Sequence, residues 1–370
     1  MERKSGPGVI VGLSGGVDSA VSALLLLEQG YSVHGLFMSN WDDEDAYCTA
    51  AQDFQDARAV ARELAIPLHR VSFAAEYRAR VFEHFLAEHR RGRTPNPDVL
   101  CNREVKFGVA LEYARRLGGE CFATGHYARL VAAPSGIELH QGRDRAKDQS
   151  YFLHAVRPND LRCVLMPLGE LVKDEVRLRA RRAGLPVFDK PDSTGICFIG
   201  ERPFREFLGK FLQQQPGPIE SSEGERIGTH CGLAFYTLGQ RAGLALGGRR
   251  GAAQRPWYVA VKDTSRNALV VVQGDDHPRL WARELTTEAL HWLSDPLTAP
   301  RRCHVRVRHR QSEQPALVEP LDHGAARILF DEPQRAVTPG QYSVLYEGTR
   351  CLGGGVIDTV ECIATRHAAA

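Results

Sequence analysis

Val9-Ile-Val-Gly-Leu-Ser-Gly-Gly-Val-Asp-Ser19 is the stretch on which the reading of this chain turns. Residues 9–13 form a short apolar, β-branched run that reads as a buried strand, and residues 18–29 read as a helix closed by Gly30. Two adjacent glycines between them let the backbone turn tightly and bring N–H groups up to an anion. The helix aims its N-terminal amides and dipole at the same point, and Ser14 and Ser19 add hydroxyl donors. The loop lacks the lysine of G-x-x-x-x-G-K-[ST] and the spacing of G-x-G-x-x-G, so it is neither of those phosphate cradles.

Working outward, the pattern predicts strands over 32–38, 68–73 and 120–125, and helices over 50–65, 75–90 and 103–117. Strands alternating with helices imply an α/β domain with a doubly wound parallel sheet, which binds ligands at the carboxyl ends of its strands. From about residue 127 the texture changes. Hairpins are expected around Ser135-Gly136 and Gly142-Arg143, and a basic helix over 173–183 is stopped by Gly184. Residues 186–202 read as a loop. Beyond residue 205 one short helix precedes many short strands, ending in a small β-barrel or sandwich.

The chain has 370 residues with a formal net charge of +2, so length suggests two or three domains and charge does not announce a nucleic-acid partner. Nine cysteines, an odd number without C-x-x-C spacing, suit reduced thiols in a cytosol. No signal peptide and no run of eighteen apolar residues is present, which reads as soluble and cytoplasmic with no membrane partner. No His/Cys cluster has zinc spacing, so no structural metal is expected, and His84 and His89 read as solvated.

Two thiols stand out by their setting. Cys101 lies in Thr94-Pro-Asn-Pro-Asp-Val-Leu-Cys-Asn102, a rigid turn leading to a helix N-terminus, where the dipole favours thiolate. Asp98 stands three residues before it, within reach for proton transfer. Cys197 lies in the loop Asp192-Ser-Thr-Gly-Ile-Cys-Phe-Ile-Gly200. The other seven read as small hydrophobes. In Arg301-Arg-Cys-His-Val-Arg-Val-Arg-His-Arg310, period two places Arg306, Arg308 and Arg310 on one strand face, suited either to a phosphate backbone or to guarding an edge.

Gly12-Leu-Ser-Gly-Gly-Val-Asp-Ser19 resembles the S-G-G-x-D-S signature of the ATP pyrophosphatase superfamily, whose members cleave ATP between its α and β phosphates and adenylate an oxygen. Further stretches extend the likeness: Phe37-Met-Ser-Asn-Trp41, Thr94 through Phe107, Thr124-Gly-His-Tyr-Ala128 and Lys147-Asp-Gln-Ser-Tyr-Phe-Leu153. So do Ser193-Thr-Gly-Ile-Cys-Phe-Ile199, Tyr236-Thr-Leu-Gly-Gln-Arg241 and Pro339-Gly-Gln341. Over essentially its whole length the chain resembles the bacterial-type tRNA-specific 2-thiouridylase family.

That resemblance implies ATP-dependent replacement, by sulfur, of the C2 oxygen of the wobble uridine in the anticodon stem-loop of tRNAs for lysine, glutamate and glutamine. It implies a catalytic ATP pyrophosphatase-loop domain with a hairpin insertion over 1–203, a small β-rich domain over 204–278 and a tRNA-binding β-barrel over 279–366. ATP, as its magnesium complex, falls to Gly12, Leu13, Ser14, Gly15, Gly16, Val17, Asp18, Ser19, Met38 and Gly125. The target base falls to Asn96, Pro97 and Asp98, with Asp98 as acid/base. Cys197 would take a persulfide from a sulfur carrier or cysteine desulfurase, and Cys101 would attack it, leaving a Cys101–Cys197 disulfide. His126, Lys147, Asp148, Gln149, Arg308, His309 and Gln341 fall where the family touches tRNA; at His309 the family usually has tyrosine. Two rival readings remain: a pyrophosphatase-loop enzyme that adenylates a small metabolite, and a non-catalytic tRNA-binding protein indifferent to both thiols.

Overall fold

A computed structural model describes residues 6–41, 50–192, 204–246 and 255–363. The opening strand β1 (Gly8–Gly12) lies in a five-stranded sheet with β2 (Ser32–Ser39), β3 (Leu68–Ser72), β4 (Cys121–Ala123) and β7 (Val164–Leu165), in the order β3-β2-β1-β4-β7. The sheet pairs are parallel throughout. Because β1 alternates its side chains, Val9 and Val11 enter one core with α1 (Val17–Glu28) and α2 (Ala50–Glu63), while Ile10 enters another with Val105, Leu111 and Phe122. Both faces are therefore covered, as a parallel sheet requires. The order reverses direction between β1 and β4, which opens a crevice at their carboxyl ends.

The helix expected over 103–117 begins earlier. Asn96 caps it, its Oδ1 accepting the Asp98 N–H at 3.1 Å, and Pro97 takes the first position, where its missing N–H costs nothing. Helical turns then run on to residue 116, with a π segment over Cys101–Val109. The first expected hairpin forms as β5 (Ala128–Ala133) and β6 (Gly136–Gln141). The second, at Gly142-Arg143, does not: Asp148 accepts the Gly142 N–H at 3.0 Å and the Ser150 N–H at 3.2 Å, folding residues 142–149 into a compact loop.

Downstream, β8 (Gly217–Ser221), β9 (Arg226–His230), β10 (Trp257–Asp263) and β11 (Ala268–Gln273) make a four-stranded sheet. The last part contains β12 (Trp281–Thr287), β13 (His291–Trp292), β14 (Arg301–Arg306), β15 (Gln314–Pro320), β16 (Ala326–Arg335), β17 (Tyr342–Glu347) and β18 (Arg350–Cys362). Strands β12-β16-β15-β14-β17-β18 close on themselves through the β12–β18 pairing, giving a six-stranded barrel without a free edge. The β5–β6 hairpin attaches to that barrel where His140 pairs with Arg350.

The arginine row is not a strand face. β14 ends at Arg306, and Gln311 takes the Val307 N–H at 2.9 Å to bend the chain away. Arg306 points inward: its guanidinium meets the fully buried Asp148 carboxylate at 2.7 Å and Glu313 at 2.5 Å. A buried guanidinium needs such partners, because unpaired it would be costly to desolvate.

Candidate active site

Beyond Gly12 the chain turns into α1 through Gly15, whose φ of +80° is left-handed and whose added Cβ would lie 2.3 Å from the Asp53 carbonyl oxygen. Only glycine fits there. Gly16 caps α1 without a side chain, so the leading N–H groups of the helix face the loop. Ser19 Oγ accepts the Ser14 N–H at 3.2 Å and donates to the Gly16 carbonyl at 3.0 Å, holding the loop's shape. Met38, near the end of β2, reaches to within 3.5 Å of a Cβ placed on Gly12. Gly125, just past β4, lies so close to the head of α1 that a Cβ would stand 2.9 Å from the Ser19 nitrogen. The loop, Met38 and Gly125 thus meet at the carboxyl ends of β1, β2 and β4, and this donor-rich, glycine-lined cradle fits a polyphosphate.

A wall of charge that the sequence did not announce stands beside the loop. Lys173 Nζ bridges Asp18 at 2.7 Å and Asp192 at 2.7 Å, and Tyr127 Oη donates to Asp18 at 2.7 Å. Asp192 also meets Lys147 at 2.6 Å and Arg177 at 3.0 Å. Burial works to raise the Asp192 pKa, but bonds from Lys147 and Lys173 outweigh it and bring the carboxyl down to about 2. Lys190 Nζ donates to the Gly15 carbonyl at 3.1 Å and to Asp53 at 2.8 Å. Burial opposes its charge; the Asp53 and Asp56 carboxylates prevail and its pKa is raised.

On the helix over residues 97–116, Asp98 is half-buried and Cys101 fully buried. Phe107, midway along this helix, packs 6.3 Å from Phe122 of β4 and 5.6 Å from His126, just past the carboxyl end of β4, centroid to centroid, which sets the N-terminal half of the helix toward that edge of the sheet. Cys197 lies outside the described residues, as does Cys48. Burial pushes the Cys303 and Cys351 thiols up to about 12, which suits their reading as small hydrophobes.

A family model described as the tRNA methyl transferase HUP domain matches residues 7–201. The tRNA methyl transferase PRC-barrel domain matches residues 205–273, and the aminomethyltransferase beta-barrel domain residues 282–357. A tRNA-specific 2-thiouridylase of Pseudomonas aeruginosa is 56% identical over 356 residues, covering 95% of this chain and 95% of that relative. The chain belongs to the tRNA-specific 2-thiouridylase family. A second thiouridylase, of Pseudomonas fluorescens, is 54% identical over 97% of this chain and 96% of its own length. Among solved structures, the U34-tRNA thiolase NcsA of Methanococcus maripaludis is 18% identical, covering 56% of this chain and 64% of its own, with a TM-score of 0.36.

The residues expected to touch tRNA are placed unevenly in this thiouridylase-family chain. Lys147 is partly exposed on the charge wall, whereas Asp148 is buried against Arg306. Gln149 Oε1 accepts the Tyr127 N–H at 3.0 Å, and His309 Nε2 lies 2.9 Å from the Asp148 carbonyl oxygen. The His309 ring packs 4.2 Å from Phe152, centroid to centroid. Arg308 donates to the Ala336 carbonyl at 2.6 Å, and Gln341 to the Thr94 carbonyl at 2.7 Å. His126 is buried beside Thr124 at 2.8 Å, and burial, then Lys106, holds its pKa well below the usual imidazole range. His89, expected to be solvated, is buried under Phe204 with Nδ1 3.0 Å from the Ala234 carbonyl oxygen. Burial lowers its pKa to about 4.

Proposed function

We propose that this chain is a tRNA-uridine 2-sulfurtransferase that uses ATP to activate the C2 oxygen of the wobble uridine. The uridine oxygen attacks the α-phosphorus and pyrophosphate leaves. Sulfide then adds at C2, and the oxygen departs with AMP, a far better leaving group than the oxygen alone. In this reading residues 12–19, Met38 and Gly125 hold ATP as its magnesium complex, and Lys173 and Lys190 supply the positive charge that a Walker lysine supplies elsewhere. Asn96, Pro97 and Asp98 meet the base, with Asp98 moving the proton. A carrier loads Cys197 with a persulfide; the Cys101 thiolate attacks the Cys197 sulfur, sulfide leaves, and a Cys101–Cys197 disulfide remains for a thiol reductant to reopen.

The observation that carries the proposal is topological. Phe107 of the helix bearing Asp98 and Cys101 packs against His126 just past the carboxyl end of β4, which supports a reading in which both residues reach the sheet edge where the phosphate loop opens. In this reading one edge gathers the adenylating loop and a thiol. The division into 1–203, 204–278 and 279–366 gives chemistry to the first unit and tRNA docking to the last. Lysine, glutamate and glutamine tRNAs, bound through their anticodon stem-loops, are the proposed substrates, in the cytoplasm; no helix of the described residues is long and apolar enough to cross a membrane.

The test is transfer of labelled sulfur to an unmodified tRNA transcript with ATP and a persulfide donor, in wild type, Cys101→Ser and Cys197→Ser. Transfer is expected to need ATP, to vanish in Cys197→Ser and to fall by at least about 10³-fold in Cys101→Ser. AMP and pyrophosphate without thiolated tRNA would favour the metabolite ligase instead.

A further inference from the structure

Every polar group of Thr94 is taken by a part of the chain far away in sequence. Its N–H donates to the Pro339 carbonyl at 3.0 Å, its carbonyl accepts from Gln341 Nε2 at 2.7 Å, and its hydroxyl accepts from Lys262 Nζ at 3.3 Å. Pro339 and Gln341 come from the loop before β17, and Lys262 from β10, so two downstream sheets grip one residue. Gly340, at φ +91°, allows the grip: a Cβ there would stand 2.9 Å from the Thr94 nitrogen. The second bond of Lys262 goes to the Tyr236 carbonyl at 2.9 Å, which fixes the ammonium to its own unit.

The segment beyond Thr94 is stiff. Pro95 and Pro97 lock their own φ and restrict the residues before them, and Asn96 is held as the helix cap. A shift at Thr94 is therefore passed along to Asp98 and Cys101 rather than absorbed. Lys262 is half-buried, no carboxylate among the described residues pairs with it, and burial alone brings its pKa down to about 8. A neutral hydrogen-bonding side chain would fill the space at lower cost, so the long-range donor to Thr94 is what distinguishes this lysine.

We propose that Lys262 is a positioning residue for the sulfur-transfer step: holding the Thr94 hydroxyl from the central sheet, it sets the turn that aims Asp98 and Cys101, and takes no part in holding ATP. This rests on the sulfurtransferase reading and assigns that site a control point in a different part of the fold. Lys262→Met removes the donor, Thr94→Val removes the acceptor at nearly constant shape, and the double variant removes both.

Thiolation of a tRNA transcript by the full chain is measured with ATP varied, beside thermal unfolding. The turnover number is expected to fall about tenfold or more in Lys262→Met and less in Thr94→Val, with KM for ATP unchanged within about twofold. The double variant is expected to be no slower than Lys262→Met, since both act through one bond. Losses that multiply in the double variant, or a KM for ATP that moves with turnover, would overturn the proposal. Should Lys262→Met fail to fold, Thr94→Val decides alone: slower turnover at an unchanged melting temperature supports it, and unchanged turnover overturns it. A wild type that thiolates no tRNA would overturn the functional reading and this one with it. An active wild type with unaltered variants would overturn this one only.

Discussion

The phosphate loop and the turn before Cys101 both lie within residues 7–201, yet they are held by different forces. Beside the loop, ammonium and guanidinium groups of Lys147, Lys173, Arg177 and Lys190 are matched to carboxylates of Asp18, Asp53, Asp56 and Asp192, most of them partly open to solvent. Around the turn, Arg93 pairs with the buried Glu88 at 2.8 Å, but the bonds to Thr94 itself run mostly to its backbone, and the nearby histidines His89 and His154 are buried. Partly exposed ion pairs contribute little stability each and exchange partners readily. Bonds to fixed backbone groups set geometry. The contrast suits the proposed division of labour, because a wall that must accept a polyphosphate has to re-pair its charges, while a thiol and a carboxylate that must meet a base have to stay where they are.

The sharpest way to break this comparison is to remove the cation shared by both carboxylates. Lys173→Met leaves Asp18 and Asp192 facing the incoming phosphates without their common partner. ATP affinity and kcat/KM for ATP are expected to fall about 10²-fold, as for loss of one charge-stabilising donor, while tRNA affinity stays within about twofold. Calorimetric titration with ATP and filter binding of tRNA read the two separately. Equal losses in both would mean that the wall belongs to the tRNA surface. High salt is expected to weaken ATP binding to wild type and to leave the turn untouched.

A smaller effect sharpens the loop side. Gly15→Ala forces a left-handed φ on alanine and drives its Cβ toward the Asp53 carbonyl. The expected loss is about 1–3 kcal/mol of unfolding free energy, together with weaker ATP binding. Gly16→Ala has an extended φ of −96° and a Cβ no closer than 3.5 Å to Ser14 Oγ, so it is the control expected to fold normally. Parallel melting curves check both; equal destabilisation would show that the strain argument at Gly15 is wrong.

The same contrast explains what the sequence made legible. The loop is written in eight consecutive residues, each shaped by its neighbours, and the alternation around it was enough to imply the sheet. The charge wall was not legible, because Lys173 meets Asp18 across 155 positions and carries no local mark. Thr94 meets Gln341 across 247. The grouping of Arg306 with Arg308 and Arg310 fails because period two does not extend past the end of β14, where the chain turns, and Arg306 itself is covered by Asp148 and Glu313. His89 was misread because the polar face of its helix lies beneath Phe204 and Ala234, which pattern analysis of the helix alone cannot know. Local pattern is legible in the sequence, and long-range pairing is not.

Acid separates the two regions by the smallest of the expected effects. Burial, with the Lys262 charge adding to it, lowers the His89 pKa from 6.5 to about 4, and burial lowers His154 to about 3. For such a histidine the unfolded chain takes the proton first, so its share of stability is present above pH 6.5 and is lost as pH falls toward about 4 for His89 and about 3 for His154. Asp192 has the same sign in a lower window: with a pKa of about 2 against 3.8, its share is present above 3.8 and lost between 3.8 and 2. The turn is therefore expected to loosen before the wall. Amide hydrogen exchange, corrected for its intrinsic pH dependence, would show peptides over 83–93 and 150–156 losing protection between pH 6.5 and 4. Peptides over 173–192 would hold until below 4. His89→Gln, which keeps a donor for the Ala234 carbonyl but does not titrate, is expected to flatten the loss over 83–93 and to leave those over 150–156, set by His154, and 173–192 in place. Simultaneous loss in both regions would mean that they unfold as one unit, and the comparison would then describe two chemistries of bonding but a single cooperative structure.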